Sequence, residues 1–252
     1  MFQLRYFIEL AYKGTNYHGW QIQPNAITVQ ELVEKAFSTI FRSKIEVVGA
    51  GRTDTGVHAD QFFAHVDFEK EFNTEEVLYR VNAILPDDIV VYKMLKVNSA
   101  HARFDAISRS YEYRILLGRN PFLTSTTWQF TNRKLNIVKM NQAAQILVTY
   151  TDFKSFSRSN SGVNNYNCEV TNSEWIQNNE LLVFHISANR FLRNMVRAIV
   201  GTLLEVGTGK TTLEEFKQII ENKDRCNAGP SAPPQGLFLT QVTYPKTIFI
   251  HE

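Results

Sequence analysis

Cysteine is nearly missing from this chain. Cys168 and Cys226 are the two in 252 residues, and their spacing matches neither a zinc motif nor a disulfide framework. No apolar run approaches the ~18 residues of a membrane span. The opening MFQLRYFIELAYKG alternates apolar and charged residues, without the basic region and continuous apolar core of a secretion signal. These shortages predict a soluble protein of a reducing compartment, the cytoplasm, with no membrane partner. A strong charge imbalance is missing too. The 27 Lys and Arg against 25 Asp and Glu leave a net charge of +2, which neither demands nor excludes a nucleic-acid partner. Apolar residues, by contrast, make up 44%, with 18 Phe and 10 Tyr. That is ample core for one large domain or two joined ones.

Hydrophobic periodicity organises the chain. Phe2, Leu4, Tyr6, Ile8 and Leu10 recur every second residue and predict a first strand. After the turn-rich YKGTNYHGWQIQPN, Thr28 with Glu31 three residues on predicts a capping box. The helix behind it carries Val29, Leu32, Val33, Ala36, Phe37 and Ile40 on one face. KIEVVGA reads as a second strand, and Phe62, Ala64, Val66 and Phe68 mark a third. Thr74 opens a second helix that Pro86 stops, and DIVVYKMLKV is a fourth strand. This is a β-α-β-β-α-β order, the ferredoxin-like arrangement. The later residues repeat the pattern with SYEYRILLG, the helix LNIVKMNQAAQILV and a hairpin through Asn178-Asn179. A helix from Arg190 to Val206, another opened by Thr212 with Glu215, and the strand GLFLTQVTY complete it. The expected class is α+β, with two ferredoxin-like halves, 1–105 and 106–252, around a mostly antiparallel sheet.

Several segments carry candidate chemistry. VGTGKTT (206–212) looks like a nucleotide-binding P-loop, but Leu204 stands where that motif needs its first glycine. It also follows a helix, so Gly207 is read as a helix C-cap and Thr212 as the next N-cap. No nucleotide cofactor is expected. His58, Asp60 and His65 suggest a metal, yet strand alternation points His65 away from the other two. Two converging ligands fall short of the usual three, so no metal is expected. On the helix from Arg190, the residues Arg190, Arg193 and Arg197 align below Gly201, and 181–204 holds no acidic residue. That stripe fits either a solvated basic face or a bound anion. HARFDAISRSYEYR (101–114) interleaves cations and aromatics, which suits stacked bases and a plain core strand alike. VGAGRTDTGVHA (48–59) packs three glycines, Arg52, Asp54 and His58 between two strands. A turn-capping Asp54 would leave Arg52 and His58 unexplained.

YKGTNYHGWQ, AGRTDTGVHA, VNAILPDDI, HARF, SYEYRI, FLRNMVRAIVG and GLFLTQVTYP together resemble the tRNA pseudouridine synthase A family over nearly the whole chain. The resemblance implies the pseudouridine-synthase fold and isomerisation of uridines in the anticodon stem-loop of tRNA, at positions thirty-eight to forty. It implies a homodimer. It makes Asp54 the catalytic residue, Arg52 an aid to base flipping, Tyr111 the stacking partner of the target base, and Arg197 the cation paired with the carboxylate. Arg103 and His58, inside the shared segments, are further candidate substrate contacts. Lys13, Thr55 and the stretch NYNCEVTNSEW (165–175) depart from the family pattern.

The implied reaction detaches uracil from its sugar and reattaches it through carbon, with no net redox change and no group transferred. No cofactor is therefore expected. Asp54 would act as nucleophile on the sugar or as base toward its C2′ proton, and both remain open. A binding protein without chemistry, and a metal-dependent hydrolase using His58 and Asp60, are the alternative readings.

Overall fold

The computed structural model describes residues 4–131, 134–159, 162 and 164–250. Among these are five α-helices and nine strands, and the chain divides into two compact units. One comprises Met1–Ile107 with Phe238–Glu252, the other Ser108–Leu237. Phe2, expected in the first strand, lies outside the described residues. No helix among the described residues is long and apolar enough to cross a membrane.

The first unit has the expected order: β1 (Leu4–Tyr12), α1 (Val29–Phe41), β2 (Val47–Gly49), β3 (His58–Phe68), α2 (Thr74–Ile84) and β4 (Ile89–Val97). β1 lies between β3 and β4, antiparallel to both. The other edge of β3 pairs with β2 from Val66 to Ala64 and, at His58 and Ala59, with a parallel strand from the end of the chain. Tyr6, Ile8, Leu10, Phe62, Ala64 and Val66 face the helices, where Phe37 and Phe41 meet Phe68. The opposite face is buried as well: Phe7 packs against Phe63, Tyr244 and Phe249. A period of two recovers one buried face and misses the second, because only the closing segment of the chain covers it. Thr28 caps α1 by accepting the Glu31 N–H, while the cap of α2 is Asn73, one residue before Thr74.

In the second unit, β5 (Ser108–Leu116) is joined at its end by the short parallel β6 (Trp128–Gln129). α3 (Ile137–Leu147) precedes β7 (Val170–Asn178) and β8 (Leu181–Ala188). β8 is antiparallel to both β5 and β7, and Trp175 packs on Phe184 across the hairpin, ring centroids 4.9 Å apart. The hairpin turns on Asn179 and Glu180, one residue later than expected, with Asn179 at φ 54°. α4 (Met195–Gly207) and α5 (Leu213–Glu221) follow, and the chain then returns to the first unit, where β9 (Leu237–Thr243) is the strand beside β3. Antiparallel pairings predominate in both units, as the α+β reading expected.

Two helix expectations need correction. α4 begins at Met195 and not at Arg190, because Asn194 takes φ 65° and ends any upstream helical run. Its side chain donates to Ser231 Oγ at 2.6 Å, which holds that conformation. Gly207 is the last residue of α4, with no C-cap role. Its missing side chain leaves room for the Met140 sulfur, and Gly209, at φ 77°, supplies the left-handed residue. Thr212 caps α5 with the full reciprocal box to Glu215.

Candidate active site

The glycine-rich loop spans residues 50–57, between β2 and β3. Its backbone is tied at several points to the segment after β1, which includes a short 3-10 turn, Gly14–Asn16. The Thr53 carbonyl accepts the Trp20 N–H at 3.4 Å, and Thr53 Oγ1 pairs with the Tyr12 hydroxyl at 2.9 Å. The Gly56 N–H donates to the Tyr17 carbonyl at 3.2 Å, and the Val57 N–H returns to the Asp54 carbonyl at 3.1 Å. Asp54 through Val57 therefore form a turn whose third residue, Gly56, sits at φ 77°, where glycine carries no steric cost. Both flanks of Asp54 are pinned while its side chain is half-buried and Arg52 is exposed.

Close approach explains the glycines of the neighbouring segment. A side chain at Gly14 would stand 1.9 Å from the Val57 carbonyl, and one at Gly19 2.2 Å from that of Thr53. Gly49 accommodates Trp20, which stacks on Phe62 at 4.1 Å. Gly51 differs: nothing lies within 4 Å of its absent side chain.

Asp88, which periodicity did not single out, anchors this clamp. Its carbonyl accepts the Lys13 N–H at 2.9 Å, and its carboxylate accepts from Asn16 Nδ2 at 3.2 Å and from the Tyr17 hydroxyl. Burial and that carboxylate raise the Tyr17 pKa, so the phenol stays a donor. The residue was visible only as part of VNAILPDDI, since its partners are some seventy positions away.

The two histidines considered for a metal serve the backbone. His58 is 1% exposed, stacks on Phe238 at 4.4 Å, and its Nδ1 accepts the Gly14 N–H at 2.9 Å. His65 Nδ1 accepts the Ala102 N–H at 3.1 Å, and burial, above all, pushes its pKa down to about 4, keeping it a neutral acceptor. His58 thus lies beneath the loop as a support. Arg103 is exposed on the turn after β4, its guanidinium 5.6 Å from the Phe104 ring centre.

Tyr111 and Arg197 belong to the second unit. Tyr111 lies on β5 opposite Ile186, half-buried, with its ring edge-to-face against Phe191 at 5.0 Å. Two residues on, Tyr113 is fully buried and donates its hydroxyl to the Pro233 carbonyl at 2.7 Å. Arg197, in the first turn of α4, donates from Nε to the Ala232 carbonyl at 2.7 Å, and the Ala232 N–H returns to the Arg197 carbonyl at 2.9 Å. The same segment explains Gly201. A side chain there would meet the Pro230 carbonyl at 1.7 Å. The bare helix patch read as a landing place for an anion is filled by protein backbone, and Arg190 and Arg193 lie outside the helix. Of the arginine stripe, Arg197 alone is helical.

A family model described as tRNA pseudouridine synthase matches residues 143–245. A second, described as an uncharacterized protein conserved in bacteria (DUF2344), matches 31–193. The chain is 52% identical over 248 residues to tRNA pseudouridine synthase A of Bacteroides fragilis, covering 97% of this chain and 98% of that protein. It is 50% identical over 251 residues to tRNA pseudouridine synthase A of Porphyromonas gingivalis, covering 98% and 99%. The like-named protein of Thermoanaerobacter sp. is 42% identical over 241 residues, covering 94% and 98%. With identity of this degree running end to end through its relatives, the chain belongs to the tRNA pseudouridine synthase A family.

Proposed function

We propose that this protein isomerises uridine to pseudouridine in the anticodon stem-loop of tRNA, at positions thirty-eight to forty, with Asp54 as the reacting group. The observation that carries the reading is the pinned loop. Hydrogen bonds on both sides of Asp54 fix its backbone, and with it the point from which the carboxylate reaches a bound ribose. The chemistry breaks the bond from C1′ to N1, turns the uracil and joins C1′ to its C5. The proton lost from C5 is balanced by one gained at N1. Atoms and electrons balance without a redox partner, so no cofactor is required. Asp54 acts either by attack on the sugar or by taking the C2′ proton.

A base inside a stem must first leave the stack, and the exposed Arg52 side chain is suited to the gap it leaves. Tyr111 supplies the π-face for the extruded uracil, and Arg197 is the cation that the family resemblance pairs with the carboxylate. Arg103 contributes a surface contact to the RNA. His58 supports the loop from below through Gly14. In this reading the half 1–105 carries the reacting loop, and the half 106–252 carries the base-stacking strand and the arginine. The reaction takes place in the cytoplasm, with tRNA as substrate. Mapping pseudouridine in tRNA from cells with and without the protein tests the assignment: unchanged anticodon stem-loops would overturn it.

Stacking and hydrogen bonding by Tyr111 separate on two substitutions. Phe keeps the ring and Leu removes it, and stacking is worth roughly 1–3 kcal/mol per base. Tyr111→Phe is expected to retain at least about tenfold more activity than Tyr111→Leu. Equal and complete loss would assign the task to the hydroxyl.

The protein acts as a homodimer in this reading. A net charge of +2 per chain is small for holding a folded RNA, whose affinity comes largely from phosphate contacts. Two copies double the cationic surface. Sedimentation at micromolar concentration is expected to give a dimer, and a stable, fully active monomer would contradict this.

A further inference from the structure

Phe104, Tyr79 and Tyr92 are the exposed aromatic residues among the described residues of the first unit, and of these Phe104 alone carries no hydroxyl. Phe104 is 74% exposed, although the protein buries most of its eighteen phenylalanines. Its ring ends a series of ring contacts that begins in the core. Phe7 lies against His65 with ring centres 6.4 Å apart, His65 against His101 at 4.6 Å, and His101 against Phe104 at 4.4 Å. Each member is fixed by the backbone around it. His65 accepts the Ala102 N–H, and His101 Nδ1 accepts the Arg103 N–H at 3.1 Å. The turn is closed in both directions, with the His101 N–H donating to the Asp105 carboxylate at 2.6 Å and the Asp105 N–H to the His101 carbonyl at 3.0 Å. From below, Arg5 Nη1 donates to the Ser99 and Ala100 carbonyls, both at 3.2 Å. The turn that carries the outermost ring is therefore fixed before anything binds, with the Arg103 guanidinium 5.6 Å from the ring centre.

We propose that Phe104 is a second stacking platform, one that receives an unpaired base of the tRNA other than the reacting uridine. The proposal rests on the tRNA-modifying reading above. A flat ring with a cation beside it matches a base and its phosphate, and such stacking tolerates any base because every base has a π-face. His101, Arg103 and Asp105 are polar, so the exposed apolar surface of 101–107 is the Phe104 ring and the Ile107 side chain. That is far below the several hundred Å² per partner that a contact between two protein chains requires. The occupant that fits one ring is one base.

The test uses the full-length protein and an unmodified tRNA transcript, with affinity read by fluorescence anisotropy. Phe104→Ala is expected to weaken binding by about tenfold and Phe104→Trp by no more than about twofold, with Phe104→Leu resembling Ala. At saturating tRNA the rate of pseudouridine formation should stay within about twofold of the parent, so that KM carries the loss. Sedimentation and thermal melting of each variant accompany the binding curves. Parent-like affinity in the Ala variant would overturn the proposal, and so would Leu substituting as well as Trp. A smaller sedimenting species in the Ala variant would also overturn it, by assigning the ring to contact between two copies of the chain. The parent's own conversion of uridine, measured in the same reactions, reports separately on the functional reading beneath it.

Discussion

Replacing Asp54 with asparagine is expected to abolish pseudouridine formation while leaving the protein folded and able to bind tRNA. The substitution keeps the side chain's shape and removes its charge. The turn from Asp54 to Val57 closes on the backbone carbonyl of residue 54, which asparagine supplies equally well. Asparagine also suits turns as readily as aspartate. If the residue served only the loop, Asp54→Asn would be nearly neutral. An amide, however, is neither an effective nucleophile toward a sugar nor a base toward its protons. Binding should remain within about tenfold of the parent, or ~1.4 kcal/mol, while tritium release from labelled uridine falls below detection. Turnover by this variant, once host synthases are excluded, would mean that another group reacts.

The second large effect is expected at Gly19, 35 residues before Asp54, in the clamp. Gly19 takes φ 83°, and a side chain there would stand 2.2 Å from the Thr53 carbonyl, one residue before Asp54. Gly19→Ala would therefore meet two penalties. A left-handed backbone costs a residue with a side chain ~1–2 kcal/mol, and overlap with a rigid backbone atom costs roughly 1–3 kcal/mol more. Unfolding in urea should report a loss of about 3.5 kcal/mol, the middle of that combined range. The loop must shift to relieve the overlap, and a displacement of ~1 Å at a reacting group can cost ~100-fold in rate. Single-turnover conversion by the folded fraction is expected to fall to that extent. Gly51→Ala is the control on the same loop. Nothing lies within 4 Å of that position and its φ is not left-handed, so stability should stay within about 0.5 kcal/mol. Parent-like turnover by Gly19→Ala would show that the clamp does not set the position of Asp54.

Local patterns were legible in the chain alone because local forces write them. Alternation in β1 and β3 marks the face that packs on the helices, the one-sided stripe of α1 the face that meets those strands, and the Thr212–Glu215 box answers unpaired N–H groups at a helix start. The order of elements in the first unit and the GRTD loop between β2 and β3 were likewise readable, as was the family, from motifs in sequence order. What failed to show was set by residues distant along the chain. The spacing of Arg190, Arg193 and Arg197 looks helical, but Ser231 holds Asn194 in a conformation that delays the helix to Met195. Gly201 looks like an opening for an anion until the Pro230 carbonyl is found against it. His58 looks like a ligand until Gly14 donates to it. Asp88, silent in any periodicity, proves to anchor the segment that pins the loop through Tyr17.

The sequence by itself thus determined the order of helices and strands in the first unit and the family to which the chain belongs. Hydrophobic period, caps and glycine content act within a few residues of where they occur. The tertiary structure alone decided how the glycine-rich loop is held, by bringing Tyr12, Gly14, Tyr17, Gly19 and Trp20 onto residues 50–57. It also decided that the outer face of Phe104 stays open. Those outcomes depend on hydrogen bonds and van der Waals contact between atoms that only folding brings within a few ångströms, and no local preference of the chain encodes such a distance.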